Sequence, residues 1–184
     1  MDLEQFFRNS AGTPAMASLT RLSLNLRTAP LASFAWMGDL PANLTHLSLG
    51  SIDAMPLPGL PHLRALSLEC WKSQYDLNVL FSLNNSPNRD DNIKLRFPRL
   101  QRFSFKASNK LTGLKALPRS IERLRLDGRL ISKQELVELL SLPQLTRLSL
   151  PSGNFQLRDL PLEAWPHLKH LDLPKTTITD RECR

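Results

Sequence analysis

Residues 145–153 read LTRLSLPSG, and the pattern in them, apolar-x-x-apolar-x-apolar, decides how the rest of the chain is read. The last two apolar positions, Leu148 and Leu150, alternate with an outward residue, which is the period of a strand with one buried face. The first, Leu145, lies three residues earlier, where the chain turns inward before the strand. The frame returns seven times: Leu19-Leu22-Leu24, Leu44-Leu47-Leu49, Leu63-Leu66-Leu68, Leu100-Phe103-Phe105, Ile121-Leu124-Leu126, Leu145-Leu148-Leu150 and Leu168-Leu171-Leu173. Successive first positions are 25, 19, 37, 21, 24 and 23 residues apart. A period of this size marks short supersecondary units laid side by side. One unit has no second layer over its leucines, so burial at about 1.5–3 kcal/mol per leucine depends on its neighbours.

Proline precedes six of the seven frames, as Pro41, Pro61, Pro98, Pro118, Pro143 and Pro166. It fixes its own φ and pushes the residue before it toward extended geometry, so it ends each connecting segment and directs the chain into the next strand. With the frame and the prolines in hand, the chain from about 19 to 178 resembles leucine-rich repeat proteins, with irregular repeats similar to those of bacterial effectors and plant intracellular immune receptors. The resemblance implies an α/β fold, a right-handed curved solenoid with a parallel sheet on its concave side and short helices and extended segments on its convex side. One family feature is missing. Where many such repeats place Asn or Cys three residues after the last strand leucine, this chain has Arg27, Ile52, Trp71, Ser108, Arg129, Gly153 and Thr176.

The 184 residues suit one domain. The expected organisation is an N-terminal lead or cap at 1–18 and a repeat domain at 19–184, with an insertion at about 69–98. No apolar run approaches 18 residues, so no membrane insertion is expected. The N-terminus, MDLEQFFRNSAGTPAM, has early acids and lacks the apolar core of a secretory signal peptide. Only two cysteines occur, Cys70 and Cys183, far from the disulfide clusters of secreted repeat receptors. A cytoplasmic protein is expected, or one delivered into a host cell without such a signal.

Along the chain, LEQFF reads as a short helix whose Phe6 and Phe7 cover the open end of the first repeat, and NSAGTPAMAS as a flexible lead or linker, with part of a secretion signal as the alternative. In LASFAWMGDL, Leu31, Phe34, Ala35 and Trp36 have near-helical spacing and Gly38 ends the run. SIDAMPLPGLP and NFQLRDLPLEAWP read as extended. In the insertion, YDLNVLFSL predicts a helix with Leu77, Leu80 and Phe81 inward, and the polar loop at 84–92 is a second candidate contact site. NKLTGLKALP predicts a short segment facing Leu111, Leu114 and Leu117 into the core. SKQE predicts a capping box between Ser132 and Glu135, opening a helix with Leu136, Val137, Leu139 and Leu140 on one face. A second box, Thr179 with Glu182, lies in TTITDRECR.

Function is expected in the outward columns of the strands. The third frame position reads Arg21, His46, Ala65, Arg102, Arg123, Arg147 and His170. The fifth reads Ser23, Ser48, Ser67, Ser104, Arg125, Ser149 and Asp172, a small, hydroxyl-bearing track. Neighbouring strands lie about 4.8 Å apart, so Arg102, Arg123 and Arg147 stack as like charges, a costly arrangement that suits an acidic ligand. Glu122, Asp127 and Asp172 are the acids placed to pair with them. With a net charge of +7 and a pI near 9.9, the expected role is non-catalytic binding of an acidic protein partner by Arg21, His46, Arg102, Arg123, Arg125, Arg147 and His170. That is the role of an effector or inhibitor-type protein, monomeric or paired end to end. Alternatives are a binder of nucleic acid or an anionic surface, or the substrate-recruiting part of a larger ubiquitin ligase. Aromatics for base stacking are absent from both columns, which weighs against nucleic acid. Phosphate-binding glycine loops, HExxH and CxxC are absent too, His167 and His170 lack a third ligand, and Cys70 has no partnered base. Neither an enzyme nor a cofactor is expected.

Overall fold

In the computed structural model, the structure describes residues 9, 13–25, 35–50, 57–70, 74–81, 96–107, 110–127, 131–139, 142–151 and 165–173. Each frame supplies one strand of a seven-stranded sheet: β1 (Arg21–Asn25), β2 (His46–Gly50), β3 (Ala65–Cys70), β5 (Arg102–Ala107), β7 (Arg123–Asp127), β8 (Arg147–Ser149) and β9 (His170–Asp172). The sheet is open, its order follows the chain, and every neighbouring pair is parallel. With a few short helices against it, this is an α/β arrangement.

The strands form because one face of each carries the frame's apolar residues. In the interior of the sheet, Leu47, Leu49, Leu66, Leu68, Phe103, Phe105, Leu124, Leu126, Leu148 and Leu150 are all buried, while Leu22, Leu24, Leu171 and Leu173 in the outer units are half-buried. A backbone ladder fixes the register. Each frame's second residue offers its carbonyl to two amides of the next frame, as Thr20 O does to the N–H groups of Thr45 and His46 at 2.8 and 3.1 Å. The same double acceptance recurs at Thr45, Arg64, Gln101, Glu122 and Thr146. Hydroxyls reinforce it: Thr45 Oγ1 donates to Thr20 O at 2.9 Å and Thr146 Oγ1 to Glu122 O at 3.0 Å.

The prolines head turns in which each frame's first N–H donates back three residues, for example Leu63 to Leu60 O at 3.1 Å and Ile121 to Pro118 O at 3.1 Å. The residue before every one of these prolines is apolar and buried: Leu40, Leu60, Phe97, Leu117, Leu142 and Trp165. The unit is therefore longer than the leucine frame and begins with an apolar-proline pair. Trp165 also donates its indole N–H to Leu139 O at 3.2 Å, so its burial leaves that donor satisfied.

Opposite the main sheet, the connecting segments build a second layer. A two-stranded parallel sheet pairs β4 (Gln74–Asp76) with β6 (Lys110–Thr112), an element the sequence pattern did not suggest. The helix α2 (Leu77–Phe81) follows β4, and a 3-10 helix (Leu114–Ala116) follows β6; Leu77, Leu80, Phe81, Leu111, Leu114 and Leu117 are buried as expected.

Other expectations need correction. Residues expected to form a flexible lead include the helix α1 (Pro14–Ser18), capped by Thr13 and packing Met16 against the core. A 3-10 helix (Ala35–Asp39) runs through Gly38 instead of ending there, and buries Met37. In α3 (Lys133–Glu138), Ser132 Oγ accepts from Glu135 N–H at 3.2 Å, but the Glu135 carboxylate accepts from Leu114 N–H at 3.4 Å, bridging to the neighbouring segment. Burial, with help from the Glu138 and Asp76 carboxylates, holds the Glu135 carboxyl above its ordinary value. Leu136 and Leu139, three residues apart, share the buried face, whereas Val137, about 100° round the axis from Leu136, is 55% exposed.

Phe6, Phe7, Leu31, Phe34, the Trp36 side chain, the 84–92 loop, Leu140, the NFQLRDLPLEA segment, the Thr179–Glu182 pair and Cys183 lie outside the described residues. Among the described residues, no helix is long and apolar enough to cross a membrane.

Candidate functional site

Because the seven frames are aligned residue for residue, positions 19 to 37 residues apart in sequence become neighbours, about 4.8 Å apart. Arg21 pairs with His46, His46 with Ala65, Ala65 with Arg102, Arg102 with Arg123, Arg123 with Arg147 and Arg147 with His170. The serine track forms the adjoining column, with Arg125 between Ser104 and Ser149, and Asp172 beyond Ser149. All seven candidate residues therefore lie on one face. They also line one cavity of about 1040 Å³ that crosses the sheet from β1 to β9. Lys169 lines it as well. Sequence reasoning missed Lys169 because it occupies the frame's second position, whose backbone serves the ladder; its long side chain nevertheless reaches the groove.

The groove has a marked charge imbalance. Six cations line it, Arg21, Arg102, Arg123, Arg125, Arg147 and Lys169, against one carboxylate, Asp172. Asp172 accepts a hydrogen bond from Ser149 Oγ at 2.7 Å. Asp172 is thus held by a serine of the neighbouring strand. Among the described residues, an ion pair joins Lys106 Nζ to Glu69 Oε1 at 2.7 Å, two residues past the serine track on β5 and β3. It is largely solvated and contributes little to stability.

His46 reports the field. Its Nδ1 lies 2.9 Å from Thr45 Oγ1. Burial, then the positive charges of Arg21, Arg102 and Arg64, hold its pKa below the ordinary 6.5. The unfolded ring gains a proton near 6.5 while the folded ring resists, so this contribution to stability is complete above pH 6.5 and is lost as pH falls from there toward the lower folded value. A proton NMR titration should place the His46 midpoint under 6.5, and added salt should move it part of the way back by screening the arginines. A midpoint at or above 6.5 would show that the groove is not electropositive at β2.

A smaller cavity of about 310 Å³, lined by Arg64, Arg99, Gln101, Ser120 and Gln144, lies outside the arginine columns. Cys70 is 1% exposed, beside Ala107 in the sheet. Among the described residues, no three His, Cys, Asp or Glu side chains are grouped to hold a metal ion. The sequence matches no family model and no curated protein.

Proposed function

We propose that this chain is a leucine-rich repeat solenoid, curved with its parallel sheet inside, and that it works as a non-catalytic recognition module for an acidic protein partner. One strand per frame, parallel and in chain order, supports the repeat architecture, since each unit then buries its leucines only against the next. The observation that carries the binding role is the in-register stack of Arg102, Arg123 and Arg147, with Arg125 beside it, in a single large cavity. Like charges set side by side on a sheet are unfavourable, and an anionic partner removes that cost. Arg21, His46 and His170 extend the same column toward both edges. The serines leave room for the partner's backbone.

Nucleic acid is the less suitable occupant. Among the described residues, the lining contains no Trp or Tyr, and its Phe103 is 1% exposed and offers bases no stacking surface.

Affinity capture should decide the matter. The native chain and an Arg102→Glu/Arg123→Glu/Arg147→Glu variant, matched for folding by circular dichroism, are compared on one lysate. The reading predicts a protein with an acidic surface that is retained by the first and lost by the second. Equal retention by both would remove the groove from consideration.

A further inference from the structure

We infer that the segment received by the groove is an α-helix bearing an acidic stripe and lying across the strands. This rests on the groove being an acid-receiving site and adds which shape of acid it takes. The argument is one of pitch. Arg102, Arg123 and Arg147 sit on three consecutive parallel strands in strict register, so their backbone positions fall at about 0, 5 and 10 Å along the line that crosses the sheet. On a helix, residues i, i+3 and i+7 share a face and fall at about 0, 4.5 and 10.5 Å along its axis. In an extended segment the residues sharing a face are i, i+2 and i+4, at about 0, 6.7 and 13 Å. The helix keeps all three carboxylates opposite their arginines; the extended chain has drifted by most of a strand spacing at the third.

The rest of the groove fits the same occupant. A helix is about 10–12 Å across with its side chains. The arginine and serine columns are two residues, about 6.6 Å, apart along each strand. A crossing helix therefore covers both, with its acids on the arginines and its body over the serines. Arg125 breaks the serine track on β7, the strand that also carries Arg123. The central carboxylate of the stripe thus meets two guanidiniums and the outer two meet one each. Beyond β5 the column turns neutral at Ala65, next to Ser67, so the stripe ends there and small, uncharged residues of the helix continue over β3.

The test uses the full chain and three labelled synthetic peptides of about 18 residues with one composition. The first is helical with Glu at i, i+3 and i+7. The second is helical with the same glutamates spread around the axis. The third keeps the spacing of the first but carries two of its residues as D-amino acids, so that no helix forms. Fluorescence anisotropy should show the first binding about tenfold tighter than the others. Arg123→Ala/Arg125→Ala should reduce that preference more than Arg147→Ala does. Equal binding of all three peptides, lost together in the Arg102→Glu/Arg123→Glu/Arg147→Glu variant, overturns the helix and leaves the acid-receiving groove standing. No binding of any peptide at millimolar concentration also overturns the helix, the broader reading then resting on the affinity capture. Tighter binding of an oligo-dT strand than of any peptide, with a steep salt dependence, overturns both.

Discussion

Phe103→Ala is expected to cost about 3–5 kcal/mol, read as a fall in the urea midpoint at unchanged m-value. Phe103 is 1% exposed and lies on β5, the middle strand of the sheet. Its ring meets Phe81 of α2 edge-on at 5.2 Å and lies 6.1 Å from Phe105 on the same strand. Phe81 in turn stands edge-on to Phe97 at 5.9 Å, and Phe105 lies 5.0 Å from Tyr75 of β4. One substitution therefore opens a cavity where the main sheet, α2 and the turn before β5 converge. Domains of this size are stable by only about 5–15 kcal/mol, so much of the total is lost. Phe103→Leu restores the frame's commonest residue and should recover most of the loss, leaving a deficit of about 1.5 kcal/mol or less. A cost under about 1 kcal/mol for the alanine variant would mean that the aromatic cluster does not anchor the core.

Gly113→Ala should destabilise by about 2–3 kcal/mol, a shift of several degrees in thermal melting. Gly113 links β6 to the 3-10 helix with φ at +78°, a left-handed conformation that a Cβ disfavours. An added Cβ would also collide with Asp76 Oδ1 and lie 2.7 Å from Asn78 Nδ2. That carboxylate accepts from Asn78 N–H at 2.9 Å and from its side-chain amide at 2.8 Å, so moving it disturbs the first turn of α2. Asp76→Ala frees the space but not the dihedral angle. The double variant should then be less destabilised than the sum of the two singles. Strict additivity would refute the collision.

The columns of the groove were legible because period-two alternation and a fixed frame leave no freedom in register. Once Leu124 and Leu148 are assigned to the core, Arg123 and Arg147 must be neighbours. The second layer was less legible. Tyr75 and Leu111 pair across a two-stranded sheet that comprises three residues on each side, too few for alternation to register, and they are 36 residues apart. Of the apolar residues before the prolines, Leu117 was expected in the core from its own segment, but Leu60 and Phe97, for instance, fall outside the leucine frame, although proline's effect on the preceding residue marks their position. Glu135 was misassigned in part because sequence proximity to Ser132 favoured a local partner, while burial against Leu114 supplied a distant one.

The ladder that joins each unit only to the next also decides how damage spreads. β5 has three strands on either side, β1 to β3 and β7 to β9. A lesion at β5 does not merely weaken the sheet; it divides it into two blocks of three, and it does so between the part of the groove that holds Arg21 and His46 and the part that holds Arg123 and Arg147. A lesion of equal size at β1 shortens the array by one unit and leaves the arginine stack whole. The same loss of free energy therefore has unequal functional weight along the chain. Under the binding role proposed above, variants at the margin accumulate while recognition persists, whereas the centre is where stability and binding fail together.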